Sequence, residues 1–304
     1  MIKNKMKNDF EAVIASERIA YEAPLAEYTT FKIGGPADVL AFPISVAEVA
    51  ALVRIAAAYA MKITVLGNGS NILVRDKGIR GLVLKFGDEM AQIRRQGNVL
   101  IAGAGTGLGD LARFAAQEKM TGMEFSVGIP GSVGGAVFMN AGAYNGEISA
   151  VVESVTAVTL TGEIQKLSRP ELKFSYRHSV FQESHAIICE VELGLADGQE
   201  EMILAQMGEF TEKRESKQPL EMPSAGSTFK RPEGHFAGTL IEAAGLKGLR
   251  YGGAEVSTKH AGFVVNAGGA TAADVQALIK EVQHRVFEHA GVMLHPEVRI
   301  IGDE

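Results

Sequence analysis

Residues 122–147 read GMEFSVGIPGSVGGAVFMNAGAYNGE, and the interpretation of the whole chain turns on them. Glycine stands at 122, 128, 131, 134, 135, 142 and 146, with Pro130 among them and almost no charge. Glycine loses backbone entropy and proline lacks a donor, so the run predicts neither a regular helix nor a central strand. Val127, Ile129, Val133, Val137, Phe138 and Met139 nevertheless make it too apolar for a solvated loop. The expectation is a buried loop whose bare backbone is pressed against something large. Amides uncovered by glycine suit phosphate oxygens. Glycine-rich corners also form where two sheets meet without any ligand.

A second run, KITVLGNGSN at 62–71, tips the balance. A strand over 62–66 ends in Gly67-Asn68-Gly69-Ser70-Asn71 and is followed by another apolar run at 72–74. Such a loop turns sharply and offers successive amides to an anion. Neither run is a Walker A, because no Gly-Lys-Ser/Thr follows. The run GAGTGLG at 103–109 mimics a dinucleotide fingerprint, but Leu108 holds the place of the third glycine.

Five stretches in order, LGNGSNILV, FSVGIPGSVGGAVFMNAGAYNGEI, YRHSVF, PSAGSTFKRP and LHPEVRIIG, resemble the UDP-N-acetylenolpyruvoylglucosamine reductases. The likeness runs from about residue 28 to 302. It implies an α+β fold: a two-lobed FAD-binding domain of the PCMH, or vanillyl-alcohol-oxidase, type and a smaller α/β substrate-binding domain. The FAD-binding domain is expected over 1–200, with lobes of about 1–80 and 81–200. The substrate domain is expected over 201–304, with strand 297–301 able to return to the FAD domain.

The resemblance also implies the chemistry. NADPH would reduce FAD, and the hydride would pass to the β-carbon of an enolpyruvyl ether on UDP-N-acetylglucosamine. Cofactor contacts fall on Thr30, on Gly67, Asn68, Gly69, Ser70 and Asn71, on Gly128, Ile129, Pro130, Gly131, Gly134 and Gly135, and on Asn140, Ala141 and Gly142. Arg177 in YRHSVF would grip the substrate carboxylate, since a guanidinium stays charged and offers two parallel hydrogen bonds. Ser227 would protonate the α-carbon, and Glu297 would hydrogen-bond the developing enediolate or adjoin the donor. Read without the resemblance, these three are a salt-bridge arginine, a turn hydroxyl and a strand-edge glutamate. The span from Arg177 to Ser227 lacks the insertion that carries a substrate-capping tyrosine in one branch of the family, so this chain resembles the shorter branch.

Composition sets the outer bounds. With 46% hydrophobic residues in 304, the chain can bury more than one core. A net charge of −6 shows no nucleic-acid footprint. Locally, though, Lys213, Arg214, Lys217, Lys230, Arg231, Lys247, Arg250, Lys259 and His260 gather between 213 and 260. Arg214, Lys217 and Lys230 are the candidates for a UDP-sugar diphosphate. A lone cysteine, Cys189, excludes an internal disulfide and reads as a core residue. His178, His260 and His295 fit no zinc spacing, so no metal is expected, and no Gly-x-Ser-x-Gly elbow is present. No apolar run reaches membrane-spanning length. The chain thus reads as a cytoplasmic protein, and a monomer is the expectation, although nothing in the sequence sets the oligomeric state. The alternatives are another FAD-dependent oxidase of the same fold, or a non-catalytic nucleotide-binding module.

Pattern and capping predict the elements. Helices are expected within 1–20, at 46–60 behind a Ser45–Glu48 capping box, at 108–118, at 199–217 and at 272–289 behind Thr271. Ser168, Pro170 and Glu171 open a short helix. Strands are expected at 81–85, 99–102, 186–195 and 297–301, and a hairpin over 151–167 turns at Thr161-Gly162.

Overall fold

A computed structural model describes residues 4–304. The part of the expected N-terminal helix at 1–3 lies outside the described residues; Asn4–Glu11 is helical, and it buries Phe10. The chain divides into two compact units, each built from separated stretches.

The first unit comprises residues 1–21, 38–68 and 81–214. One four-stranded sheet runs in the order Ile19–Pro24, Pro36–Ala41, Ile79–Lys85, Ile63–Leu66. Helix Val46–Ala58 buries Val49, Leu52, Val53 and Ala56 in the same core as Val39, Leu82 and Leu84 of this sheet. Ser45 Oγ accepts from Glu48 N at 3.2 Å, as an N-cap hydroxyl should. The expected capping box is only half formed. Instead of reaching back to Ser45, the Glu48 carboxylate takes Ile44 N–H and both terminal nitrogens of Arg18, at 2.6 and 2.9 Å. A bidentate guanidinium outcompetes one amide, and it holds Glu48 below the usual carboxylate range.

A five-stranded antiparallel sheet follows, ordered Ile164–Ser168, Val152–Val158, Ile187–Gly194, Val99–Gly103, Ile93–Gln96. The expected hairpin is present, and Gly162 supplies its positive φ of 82°, a conformation that hairpin turns reserve for glycine and a few polar residues. Ser168 and Glu171 form the expected capping box on the turn Arg169–Leu172. Cys189 is buried within this sheet, and burial pushes its thiol up to about 12, which leaves it unreactive.

The central glycine stretch corrects the expectation of a loop without helix. Val133–Met139 is α-helical, with Ser132 as its N-cap and Asn140 in the left-handed conformation as its C-cap. Helix propensity was the wrong guide here, because packing decided it. Val133, Ala136 and Val137 are buried, and a β-carbon on Gly134 would stand 2.8 Å from Ala104 Cβ. Glycine is what lets this helix lie against the strand end at 104.

The second unit comprises residues 22–37, 69–80 and 215–304. These units differ from the continuous segments 1–200 and 201–304 expected from sequence. Strand Arg299–Ile301 pairs in parallel with Ile72–Val74, inside this unit. Leu73 and Phe31 therefore join Phe229, Ile241, Leu278 and Val282 in one core. An antiparallel sheet, ordered Ser224–Ser227, Phe263–Asn266, Ala254–Val256, Arg250–Tyr251, packs with helix Ala272–Ala290.

Thr271 and Asp274 form a capping box on that helix, and Gly291 ends it at φ 68°. A second anion serves the same end: Asp76 accepts from Ala272 N at 2.8 Å and from Ala273 N at 3.0 Å. Two helix donors with no intrahelical partner are thus satisfied by a residue almost 200 positions earlier. Asp76→Ala is expected to lower unfolding stability by roughly 1 kcal/mol, with Asp76→Asn losing less. Denaturant titration of both variants checks this, and equal stability of Asp76→Ala and wild type would refute it.

Candidate flavin and substrate site

In the first unit the strand Ile63–Leu66 delivers Gly67 and Asn68 against the central glycine stretch. A β-carbon on Gly67 would collide with Ser132 Oγ, so only glycine permits this approach. Asn68 Nδ2 donates to Pro130 O at 3.4 Å. The two runs singled out in the sequence are therefore joined here. On the helix that follows, Gly135 is exposed, and a β-carbon there would meet only Ser132 Oγ, at 3.4 Å. The first amides of this helix are taken by the protein itself, Val133 N by Thr106 O, Gly134 N by Ala104 O and Gly135 N by Ser132 Oγ, so Gly135 presents an uncovered backbone face rather than free donors.

The other glycines are absorbed by the protein itself. β-Carbons on Gly103 and Gly105 would run into the carbonyls of Met90 and Gly87, which explains the false fingerprint at 103–109 as close packing. Gly128 lies under Arg214, whose Cδ would stand 2.7 Å from an added β-carbon. Desolvation lowers the Arg214 guanidinium from its ordinary value. Asn140 is buried, and its amide is engaged by the protein: Nδ2 donates to Ser175 O at 3.0 Å, and Oδ1 accepts from Ser149 N. Ile129 N donates to Ser126 O, Gly131 O accepts from Leu108 N, Ala141 bonds Ala136 and Ile148 through its backbone, and Gly142 pairs with Glu147 in a short hairpin.

Tyr144 turns that hairpin at φ 51°, with its ring stacked on Phe210 at 4.3 Å and its hydroxyl donating to Phe210 O. This contact pins helix Glu200–Lys217 to the glycine stretch and bounds a cavity of about 240 Å³ shared with Phe125 and Gln206.

Arg177 also belongs to this unit. It occupies the tip of a tight turn closed by two backbone bonds between Ser175 and His178. Its φ of 56° is left-handed. That conformation costs a non-glycine residue roughly 1–2 kcal/mol. The guanidinium lies 5.1 Å from the Tyr176 ring and donates to Gly142 O at 3.4 Å. A strained arginine beside the glycine stretch is a functional signal that no sequence pattern carries.

The second unit holds the other two candidate catalytic residues, and it brings them together. The pairing of Ser224 with Val265 and of Ser227 with Phe263 leaves one extra residue, a bulge at Gly226 with φ 72°. Bulges re-aim side chains, and here Ser227 is exposed. Beyond it, Glu297 N donates to Thr228 O at 2.8 Å, Phe229 bridges Pro296, and Lys230 N donates to His295 O. The two segments zip side by side, which sets Glu297 next to the Ser227 strand.

Thr30 Oγ1 donates to Ser224 O at 2.6 Å and Thr30 N to Gly69 O. Asn71 Nδ2 donates to Glu297 O at 3.4 Å, and Ser70 O lies 3.9 Å from where a Gly226 β-carbon would be. The second half of the first glycine loop therefore adjoins the serine and the glutamate.

The basic cluster is mostly spoken for. Lys213 pairs with Glu209, Lys247 with Glu242, Arg250 with Glu255 and Lys259 with Glu221. Arg231 lies over the Phe236 ring. Among the described residues Arg214, Lys217 and Lys230 make no ion pair, which leaves them as the cations available to an external anion. His260 accepts from Gly262 N through Nδ1, and burial lowers its pKa. His178 faces Glu183 at 3.4 Å.

Residues 37–168 match the family model of an FAD binding domain. The fold is shared with alkyldihydroxyacetonephosphate synthase (TM-score 0.51, 16% identity, 65% of this chain and 41% of that chain) and with the 4-ethylphenol oxidase of Gulosibacter chungangensis (0.50, 19%, 64% and 42%). Fold and paired glycine runs thus define a protein of the FAD-binding class.

The particular family follows from closer likenesses. Residues 218–301 match the C-terminal domain of UDP-N-acetylenolpyruvoylglucosamine reductase. The reductase of that name from Levilactobacillus brevis is 49% identical over 98% of both chains, and that of Geobacillus thermodenitrificans 47% over 96% of both. The solved UDP-N-acetylenolpyruvylglucosamine reductase of Thermus caldophilus superposes at a TM-score of 0.80, with 37% identity over 93% of this chain and 97% of that one. The chain belongs to the UDP-N-acetylenolpyruvoylglucosamine reductase family.

Proposed function

We infer that this protein reduces UDP-N-acetylglucosamine enolpyruvate to UDP-N-acetylmuramate, with FAD bound and NADPH as reductant, in peptidoglycan precursor synthesis. The observation that carries the reading is the junction of the two glycine runs, Gly67 on Ser132 and Asn68 on Pro130, in a chain of this family. The residues that would hold FAD are Gly67–Asn71, the stretch 129–135 and Ala141 with Gly142; Gly135 leaves its backbone face uncovered, and Thr30 fixes Gly69. FAD held there would supply hydride transfer from NADPH to the β-carbon of the unsaturated ether.

The chain's own residues govern the rest of the reaction. Arg177 holds the substrate carboxylate, where negative charge accumulates as the β-carbon is reduced. Ser227 Oγ gives its proton to the α-carbon of the resulting enediolate. Glu297 hydrogen-bonds that enediolate or the donor, and Arg214, Lys217 and Lys230 bind the diphosphate. No helix among the described residues is long and apolar enough to cross a membrane. We propose a cytoplasmic monomer that binds no nucleic acid.

Anaerobic NADPH should bleach the flavin, and the enolpyruvyl nucleotide should restore its colour. Bleaching without reoxidation by intact nucleotide would favour an oxidase of the same fold, and a protein that cannot be loaded with FAD would exclude both. The cofactor site has its own test. Gly135→Val adds an exposed side chain whose β-carbon meets Ser132 Oγ at 3.4 Å, an ordinary contact, so the variant should fold with a Tm near wild type and bind FAD roughly tenfold or more weakly. Gly134→Val instead meets Ala104 and should lower the Tm. Unchanged FAD affinity in Gly135→Val would move the cofactor away from this helix.

A further inference from the structure

The turn that carries Arg177 is built onto the carboxyl end of the glycine helix Val133–Met139. Gln182 makes the joint. Its Nε2 donates to Arg177 O and to Phe138 O, each at 2.9 Å, so one amide nitrogen spans the strained arginine and the last turn of the helix. The opposite amide orientation would set an oxygen against two carbonyl oxygens, so these acceptors fix it. Ser179 Oγ donates to Phe138 O at 2.9 Å, and Asn140 Nδ2 to Ser175 O at 3.0 Å. Of these four bonds only one ends on the arginine's own backbone, and it comes from Gln182. The left-handed conformation of Arg177 persists only if its surroundings hold it.

We propose that Gln182 is a positioning residue for nucleotide reduction: it locks the Arg177 carbonyl to the glycine helix, so that the helix holding the cofactor also aims the guanidinium at the substrate carboxylate. Gln182 touches neither reacting group and acts through Arg177, so the inference rests on the carboxylate-binding role given to that arginine. A misplacement of about 1 Å costs on the order of 100-fold in rate. The effect should therefore fall on the nucleotide step alone.

The experiment uses the FAD-loaded protein with anaerobic stopped flow, reading bleaching by NADPH and reoxidation by the enolpyruvyl nucleotide separately. Gln182→Leu keeps the bulk and loses the donor. It should bleach at the wild-type rate, reoxidise roughly ten- to 100-fold more slowly and show a raised KM for the nucleotide. Gln182→Lys keeps a multiple donor of similar reach and should recover to within about threefold of wild type.

Ser179→Ala removes a donor from Phe138 O but none from Arg177, and so reports the cost of loosening the helix end alone. The proposal requires Gln182→Leu to exceed it. Should Gln182→Leu fail to fold, Gln182→Glu against Gln182→Lys poses the same question, with Lys expected active and Glu not. In an Arg177→Gln background, Gln182→Leu should add nothing further. Equal effects of Ser179→Ala and Gln182→Leu, full additivity with Arg177→Gln, or slowed bleaching would overturn the proposal. An Arg177→Gln protein that reoxidises normally would instead remove the carboxylate role of Arg177 itself.

Discussion

Ser227→Ala is expected to bleach with NADPH as wild type does, while formation of UDP-N-acetylmuramate falls by roughly 1,000-fold or more. A serine hydroxyl is a weak acid near neutrality, which makes it an unexpected proton donor. The acceptor decides the matter, because an enediolate carbon is a far stronger base and the transfer runs downhill. The fold gives the hydroxyl its aim. One extra residue at Gly226 turns Ser227 out of the strand, and Ser227 is exposed there. Ser227→Cys, which keeps a proton on a larger atom, should recover part of the rate. Stopped-flow absorbance of the flavin and chromatography of the nucleotide separate the two half-reactions. Normal product formation by Ser227→Ala would take Ser227 out of the mechanism.

Local chemistry was readable wherever a few neighbouring residues decide the outcome. Thr271 and Gly291 bracket the last helix, Ser168 with Glu171 caps a short turn, and Gly162 turns a hairpin. The glycine helix was not readable, because its glycines argue against helix. Its stability comes instead from Ser132 and from burial of Val133, Ala136 and Val137. Nor do the two compact units follow composition. Residues 69–80 join the C-terminal part through Asp76 and through the pairing of Ile72–Val74 with Arg299–Ile301, contacts formed across more than 190 positions.

The site shows the same division. Motif matches single out Arg177, Ser227 and Glu297 as candidates, but the adjacency of the last two arises from the bonds of 228–230 with 295–297. The density of cations between 213 and 260 overstated the free charge, since four of them face carboxylates. Gln182 was missed altogether. A neutral amide in a short helix has no local signature, and only its carbonyl acceptors on Phe138 and Arg177 reveal it.

Arg177→Gln is expected to slow reoxidation by the enolpyruvyl nucleotide by roughly 100- to 1,000-fold, about 3–4 kcal/mol of lost transition-state stabilisation, with flavin content and bleaching unchanged. Arg177→Lys keeps a point charge without the planar fork and should fall between Gln and wild type. The backbone makes a further demand. Arg177 sits at φ 56°. Arginine is strained there and glycine is not, so Arg177→Gly relieves the turn while also freeing the unfolded chain. Arg177→Gly should accordingly lose nucleotide reduction as severely as Gln does, yet melt at or near the wild-type temperature. A purely structural arginine would give the reverse pattern, a lowered Tm with reoxidation intact. Strain retained at a position where a less strained residue would fold as well is what a functional side chain predicts, and loss of the nucleotide step in a fully folded Arg177→Gly protein is the result that would establish it.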